Sequence, residues 1–283
     1  MTRSMVKRPA PRRWENLGHA QDLPRTADTM ARSLITAVLL VLALYLGLGL
    51  ALFIFQRSLI YFPQPRAIGG PDRLLMLPVT DQQVAVTVRP LASPKALIYF
   101  GGNAEDVSRS LPDFAEAFPD HALYLLHYRG FGDSSGKPSE EAIQQDALEL
   151  FDKVHALHRD IAVVGRSLGS GVAIRLASQR PVAHLVLVTP YNSVLELAQH
   201  QFPIFPVRWM LQDKYESWRY ARTLQVPTLV IAAERDEVIP RWSTEKLIRQ
   251  FKPDVVRVEV IPGAGHNDIG ERPEYLRLIR DGL

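Results

Sequence analysis

An α/β architecture with a mostly parallel central sheet flanked by helices follows from three observations. From Arg57 onward, short β-rich apolar runs alternate with longer amphipathic ones. One apolar run, Ile161–Val164, leads directly into Gly165-Arg166-Ser167-Leu168-Gly169 and then into a helical pattern. An uncharged stretch of 24 residues, Ser33–Gln56, precedes the whole series.

That stretch is the first element. At about 1.5 Å per residue it covers a hydrocarbon core of roughly 30 Å, which predicts one transmembrane helix. Its exit, Phe53-Ile54-Phe55-Gln56-Arg57, is bulky. A cleaved signal peptide would have a shorter apolar region and small residues at the cleavage site. Residues 1–32 form a basic tail with three Pro and no hydrophobic periodicity, which predicts disorder. Seven Lys/Arg against three acids give this tail +4 of a whole-chain charge of +3, so the remaining 251 residues sum to −1. The folded part therefore lacks the cationic face that nucleic-acid binding requires. A Lys/Arg-rich tail favours a cytoplasmic N-terminus, with the catalytic domain on the outer (periplasmic, lumenal or extracellular) side. Cys is absent, which excludes disulfides, thiolate zinc sites and a Cys nucleophile.

Residues 57–283 carry the alternating pattern. Val84–Val88 alternates, and Ala96–Phe100 reads as a buried strand ending at Gly101-Gly102. Val107–Phe118 reads as a helix and Ala122–His127 as the next strand. Ser139 with Glu140 and Glu141 opens a helix whose Ala142, Ala147, Leu150, Phe151, Val154 and Leu157 are spaced for one face. Then follow strand Ile161–Val164, helix Leu168–Ser178 and strand His184–Val188. Strand Thr228–Ala233, helix Ser243–Phe251, strand Val255–Ile261 and a closing helix Pro273–Arg280 complete the pattern. Residues 192–224 interrupt the rhythm with six aromatics. This insertion reads either as a cover over the carboxyl ends of the strands or as ordinary helix packing.

The chemistry centres on Ser167. A serine between a buried strand and a helix, flanked by Gly165 and Gly169, sits on a tight turn with its hydroxyl raised above the sheet. Its hydroxyl needs a base and an orienting carboxylate, and on such a turn the chain order is Ser, acid, His. His184, His200 and His266 follow Ser167; His266, on the Gly-rich loop after the last strand, is the one able to reach back over the sheet. Asp236 closes the strand Thr228–Ala233 and is the preferred acid, with Glu237 its neighbour and Asp268 near the histidine as competitors. The oxyanion hole requires two amides. Leu168 N–H follows the nucleophile, and Asn103 N–H, with Gly102 next, comes from the loop after the first buried strand. His155 and His158 share a helix face without a third ligand, which reads as a solvated face and no metal site. Walker and dinucleotide fingerprints are absent.

With these residues in view, the chain resembles the α/β-hydrolase superfamily, in particular its membrane-anchored, serine aminopeptidase-like branch. The likeness runs from about Arg57 to the C-terminus. It rests on Arg57–Pro63, Tyr99–Glu105, Tyr128–Gly136, Gly165–Gly169, Arg235–Pro240 and Gly263–Asp268. It implies Ser167, Asp236 and His266 as a triad, the Asn103 and Leu168 amides as the oxyanion hole, and no cofactor or metal. Two positions depart from the family pattern: Gly101 stands where His is usual, and His127 where Asp is common before Tyr-Arg-Gly. Members cleave carboxylic esters, thioesters, lysolipids and some peptides. The expected protein is a single-pass membrane serine hydrolase acting on small-molecule or lipid acyl substrates. A serine peptidase on the same triad and a catalytically silent binding module are the alternatives.

Overall fold

The computed structural model describes residues 25–70, 73–80 and 82–283. Helix α1 (Arg25–Ile60) contains the apolar run and extends past it at both ends. Residues 25–32, expected in the tail, are helical, because no Gly or Pro interrupts the chain between Arg25 and Leu46. Residues 1–24, on which the rest of the expected disorder falls, lie outside the described residues. Pro63 and Pro65 follow the end of α1, where a helix cannot continue. Asp28–Ile60 is long and apolar enough to cross a membrane, and its 18-residue window has a mean hydropathy of 2.8 and no buried residue. Described residues up to Leu50 form one unit and Ala51–Leu283 a second, so the last ten residues of α1 belong to the second.

The second unit holds eight strands. These are β1 (Leu74–Val79), β2 (Gln82–Arg89), β3 (Lys95–Phe100), β4 (Ala122–Leu126), β5 (Asp160–Arg166), β6 (His184–Val188), β7 (Thr228–Ala233) and β8 (Val256–Ile261). They pair in the order β1-β2-β4-β3-β5-β6-β7-β8. Only β2 runs against the others, pairing antiparallel with β1 and β4. Helices α2 (Leu111–Ala117), α3 (Glu140–His155), α4 (Leu168–Ala177), α5 (Val194–Gln201), α6 (Val207–Met210), α7 (Ser217–Ala221), α8 (Arg241–Ile248) and α9 (Glu274–Asp281) fill the connections. The β1 strand escapes the sequence reading, because its run LLMLPV does not alternate and carries Pro78. As the sheet's terminal strand, it tolerates that proline.

Burial on both faces explains why β3, β4, β5 and β6 read as continuous apolar runs. Alternation along β3 divides the core. Ile98 and Phe100 pack with Leu150 and Phe151 of α3 and Val172 of α4 on one face. Leu97 and Tyr99 meet Phe114 of α2 and Ile279 of α9 on the other. Helix α3 starts where Ser139 Oγ accepts the Ala142 amide at 3.2 Å. It ends at His155, so Leu157 falls beyond it and is exposed rather than on the apolar face. His158 also corrects an expectation. It is buried, and its Nδ1–H donates to the Ser93 carbonyl at 2.7 Å while Nε2 accepts the Tyr124 hydroxyl at 2.9 Å. Two neutral partners, and no cation, satisfy that ring.

His127, the departure before Tyr128-Arg129, is 1% exposed and bonded through Nε2 to Thr87 Oγ1 at 2.8 Å. Burial pushes its pKa down from 6.5 to about 4; Asp106 and Asp133 oppose this and Arg66 adds to it. In the unfolded chain the ring protonates first. This contribution to stability is therefore complete above about pH 6.5 and is lost as pH falls toward 4, by up to about 3 kcal/mol. In thermal denaturation between pH 7.5 and 4.5, the gap between wild type and His127→Gln should narrow as the solution is acidified. A gap independent of pH would show that His127 does not titrate with unfolding.

Candidate active site

Ser167 lies at the hinge between β5 and α4. Its backbone has φ 50° and ψ −118°, a left-handed region that costs a non-glycine residue energy. The flanking glycines make the turn possible. A Cβ on Gly165 would meet the carbonyl of Gly169, and one on Gly169 would meet the carbonyl of Phe100. Ser167 N–H donates to the Val188 carbonyl at 2.9 Å, and Ser170 Oγ donates to the Ser167 carbonyl at 2.7 Å. The turn is thus tied to β6 and to its own helix. Strands β4 and β5 flank β3 on opposite sides, so the serine emerges where the strand order reverses, at the carboxyl end of the sheet.

The structure brings Ser167, His266 and Asp236 together from positions 99 and 30 residues apart. His266 Nε2 lies 2.9 Å from Ser167 Oγ, and Nδ1 lies 3.0 Å from both carboxylate oxygens of Asp236. A carboxylate only accepts, so Nδ1 carries the proton and Nε2 is free to accept from the serine hydroxyl. Asp236 Oδ1 also accepts the amides of Val238 and Ile239 at 3.0 and 2.7 Å, which hold the carboxylate on the exit loop of β7. The competing acids have other partners. Glu237 accepts the backbone amide of His266 at 3.1 Å, and Asp268 accepts that of Gly265 at 2.6 Å and pairs with Arg272. Both shape the histidine loop without touching the imidazole nitrogens.

The loop after β3 supplies the remaining groups. Gly102 N–H, the reserve candidate for the oxyanion hole, donates instead to Glu105 Oε2 at 2.8 Å and is not available to a substrate. Among the described residues the amides of Leu168 and Asn103 donate to no other group, and both residues line a cavity with Ser167. The support that a histidine at Gly101 would give is replaced. Tyr128 Oη and Gly169 N–H both donate to the Gly101 carbonyl, at 2.7 and 3.1 Å. Glu105 braces the same loop by accepting from Tyr99 Oη at 2.7 Å and pairing with Arg166 at 3.2 Å. Arg166 in turn donates to the carbonyls of His266 and Asn267, at 3.3 and 3.4 Å, linking the oxyanion loop to the histidine loop. Sequence reading missed Glu105 and Arg166. The signal was present as a charged residue within Gly-Arg-Ser-Leu-Gly, where a largely shielded guanidinium calls for a counter-ion.

The cavity above Ser167 has a volume of about 430 Å3, within the roughly 300–1,000 Å3 usual for small-molecule sites. Its walls are mostly apolar, with Gln56, His200 and Gln201 among them. Leu197, Phe202, Phe205 and Met210 come from the insertion and Ile239 from the acid's loop. Both readings of residues 192–224 therefore hold in part: α5, α6 and their connection cover the site, whereas α7 packs on α4 as an ordinary helix. Among the described residues no group of three or more His, Asp or Glu side chains could hold a metal ion.

Comparison with known proteins adds relatives. A family profile described as alpha/beta hydrolase fold matches residues 96–213. An uncharacterized protein of Mycobacterium tuberculosis is 34% identical over 257 residues, covering 83% of this chain and 89% of that protein. Lysophosphatidylserine lipase ABHD12 of Macaca fascicularis is 32% identical over 68% of this chain, which spans 57% of that lipase's length. Among solved structures, an esterase of Pyrococcus furiosus superposes with a TM-score of 0.61 at 19% identity, over 78% of this chain and 98% of that one. At that identity the likeness is one of fold.

Proposed function

The chain belongs to the α/β-hydrolase family, and on that premise we propose that it is a membrane-anchored serine hydrolase cleaving carboxylic ester or thioester bonds of acyl compounds. One observation carries the reading: a serine hydroxyl 2.9 Å from an imidazole that is itself held at 3.0 Å by a buried carboxylate, at an apolar cavity. Ser167 Oγ attacks the acyl carbonyl carbon while His266 Nε2 takes its proton. Asp236 holds the ring and stabilises the imidazolium that forms. The amides of Leu168 and Asn103 face the tetrahedral oxyanion. Nε2–H then protonates the departing alcohol or thiol, and water repeats the sequence on the acyl-enzyme to release a carboxylic acid. Every proton moves between serine, histidine, leaving group and water.

Relatives named as a lipase and an esterase support acyl substrates. The length and hydropathy of α1 support insertion in a bilayer. The basic tail supports a cytoplasmic N-terminus with the catalytic unit on the outer side. The test is labelling of the full-length protein by a fluorophosphonate probe, combined with p-nitrophenyl esters and aminoacyl-naphthylamides as substrates. Labelling at Ser167 with ester hydrolysis is expected. Cleavage of the naphthylamides alone would replace the esterase by a peptidase, and absence of labelling would leave a binding module.

A further inference from the structure

The last turns of α1 do more than lead out of the apolar run. Gln56 is buried, and its side-chain amide exchanges two hydrogen bonds with the backbone of the insertion. Nε2 donates to the Met210 carbonyl at 3.2 Å and Oε1 accepts the Gln212 amide at 2.7 Å. The next residue, Arg57, pairs with Asp213 at 3.0 Å. Tyr61 Oη donates to the same carboxylate at 3.1 Å and lies 2.9 Å from Tyr215 Oη. Asp213 and both tyrosines are buried, so this polar cluster clamps the helix end to the cover. The oxyanion loop is fastened to the same place. Asn103 Nδ2 donates to the Ile60 carbonyl at 2.8 Å, and the Asn103 carbonyl accepts the Phe62 amide at 2.9 Å.

The clamp turns an apolar helix face toward the cavity. Leu52, Phe53, Leu59 and Ile60 line it, opposite the apolar side chains of the insertion. We propose that the end of the anchor helix is one wall of a site for a single fatty acyl chain, and that Leu52 and Phe53 help set the chain length accepted. This rests on the hydrolase reading above and names its substrate class. A cavity of about 430 Å3 lies in the size range of small-molecule sites and suits one acyl chain rather than two. An acyl chain there exchanges water for a mostly apolar wall, broken by Gln56, His200 and Gln201, whereas a charged acyl group would lose more hydration than this wall returns. The carbonyl end meets Ser167, Leu168 and Asn103, all at the cavity surface.

The experiment uses the full-length protein in detergent and p-nitrophenyl esters from butyrate to stearate. The readout is the ratio of kcat/KM for myristate to that for butyrate. Wild type should favour myristate. Leu52→Trp should lower the ratio by about tenfold or more, because a few methylenes lose their apolar pocket. Phe53→Ala should move the preferred length upward or flatten the profile. A fold defect lowers both rates together and leaves the ratio in place, so the ratio separates pocket from scaffold. An unchanged ratio in both variants, with Ser167-dependent butyrate hydrolysis intact, would overturn the proposal alone. Loss of all ester hydrolysis in wild type would instead overturn the hydrolase reading on which it stands.

Discussion

Replacing Ser167 by alanine is expected to lower kcat/KM for short p-nitrophenyl esters by about 10⁴- to 10⁶-fold while leaving the protein folded. The hydroxyl is the one group in the cavity that combines a lone pair with a base in contact, His266 Nε2 at 2.9 Å. Alanine removes that oxygen and nothing that holds the turn. The Ser167 amide still donates to the Val188 carbonyl, and the Ser167 carbonyl still accepts from Ser170 Oγ. The Cβ and the positive φ stay as they are, so the thermal midpoint should move little. On the proposed mechanism serine and histidine act as one unit, so adding His266→Ala to Ser167→Ala should cost almost nothing more. Measurement of the two single variants and the double variant on p-nitrophenyl butyrate checks both points. Residual turnover within a factor of ten of wild type would mean that another group performs the attack.

How legible the fold was depended on whether its cause was local. Strands β3 to β6 could be read because burial on both faces leaves an unbroken apolar run, and β3 even shows in Gly101-Gly102 where it stops. Strand β1 could not, since its partner β2 supplies the pairing and the run itself signals nothing. At the site, Ser167 was visible because strand, glycine, serine and helix are contiguous. His266 and Asp236 were visible through their places at strand ends. The sequence preferred Asp236 over Glu237 by its place at the strand end, and the coordinates set the Asp236 carboxylate, not that of Glu237, against His266 Nδ1. Of the groups that brace these residues, only Arg166 left a sign, as a charge inside the serine turn, and its partner was not legible. Glu105 and Arg166 lie 61 residues apart, and Arg57 and Asp213 lie 156 apart, so neither partner is signalled near the other. Gln56 looked like the polar end of an apolar segment, and its two bonds to the insertion belong to tertiary structure.

The second large effect is expected at Asp236, where asparagine should reduce kcat/KM by about 10³- to 10⁴-fold with little loss of stability. The reason is the tautomer. Oδ1 of Asp236 accepts the Val238 and Ile239 amides, so in Asp236→Asn the amide oxygen is retained on that side by the same two donors. The amide nitrogen then takes the place of Oδ2, 3.0 Å from His266 Nδ1, and donates to it, while Oδ1, already accepting two amides, is the weaker acceptor for that ring. A ring that accepts at Nδ1 carries its proton at Nε2, and Nε2 can no longer take the proton of Ser167. Geometry is preserved and the base is lost. Glu237→Gln is the control on the same loop. Glu237 meets the backbone amide of His266 and not its ring, and a glutamine oxygen can accept that bond equally well. A change below about tenfold is therefore expected there. Assaying both variants on one ester decides between the two carboxylates. If Glu237→Gln proved the more damaging, the orienting acid would have to be reassigned to Glu237, with a loop arrangement other than the one in which Asp236 holds Nδ1 at 3.0 Å.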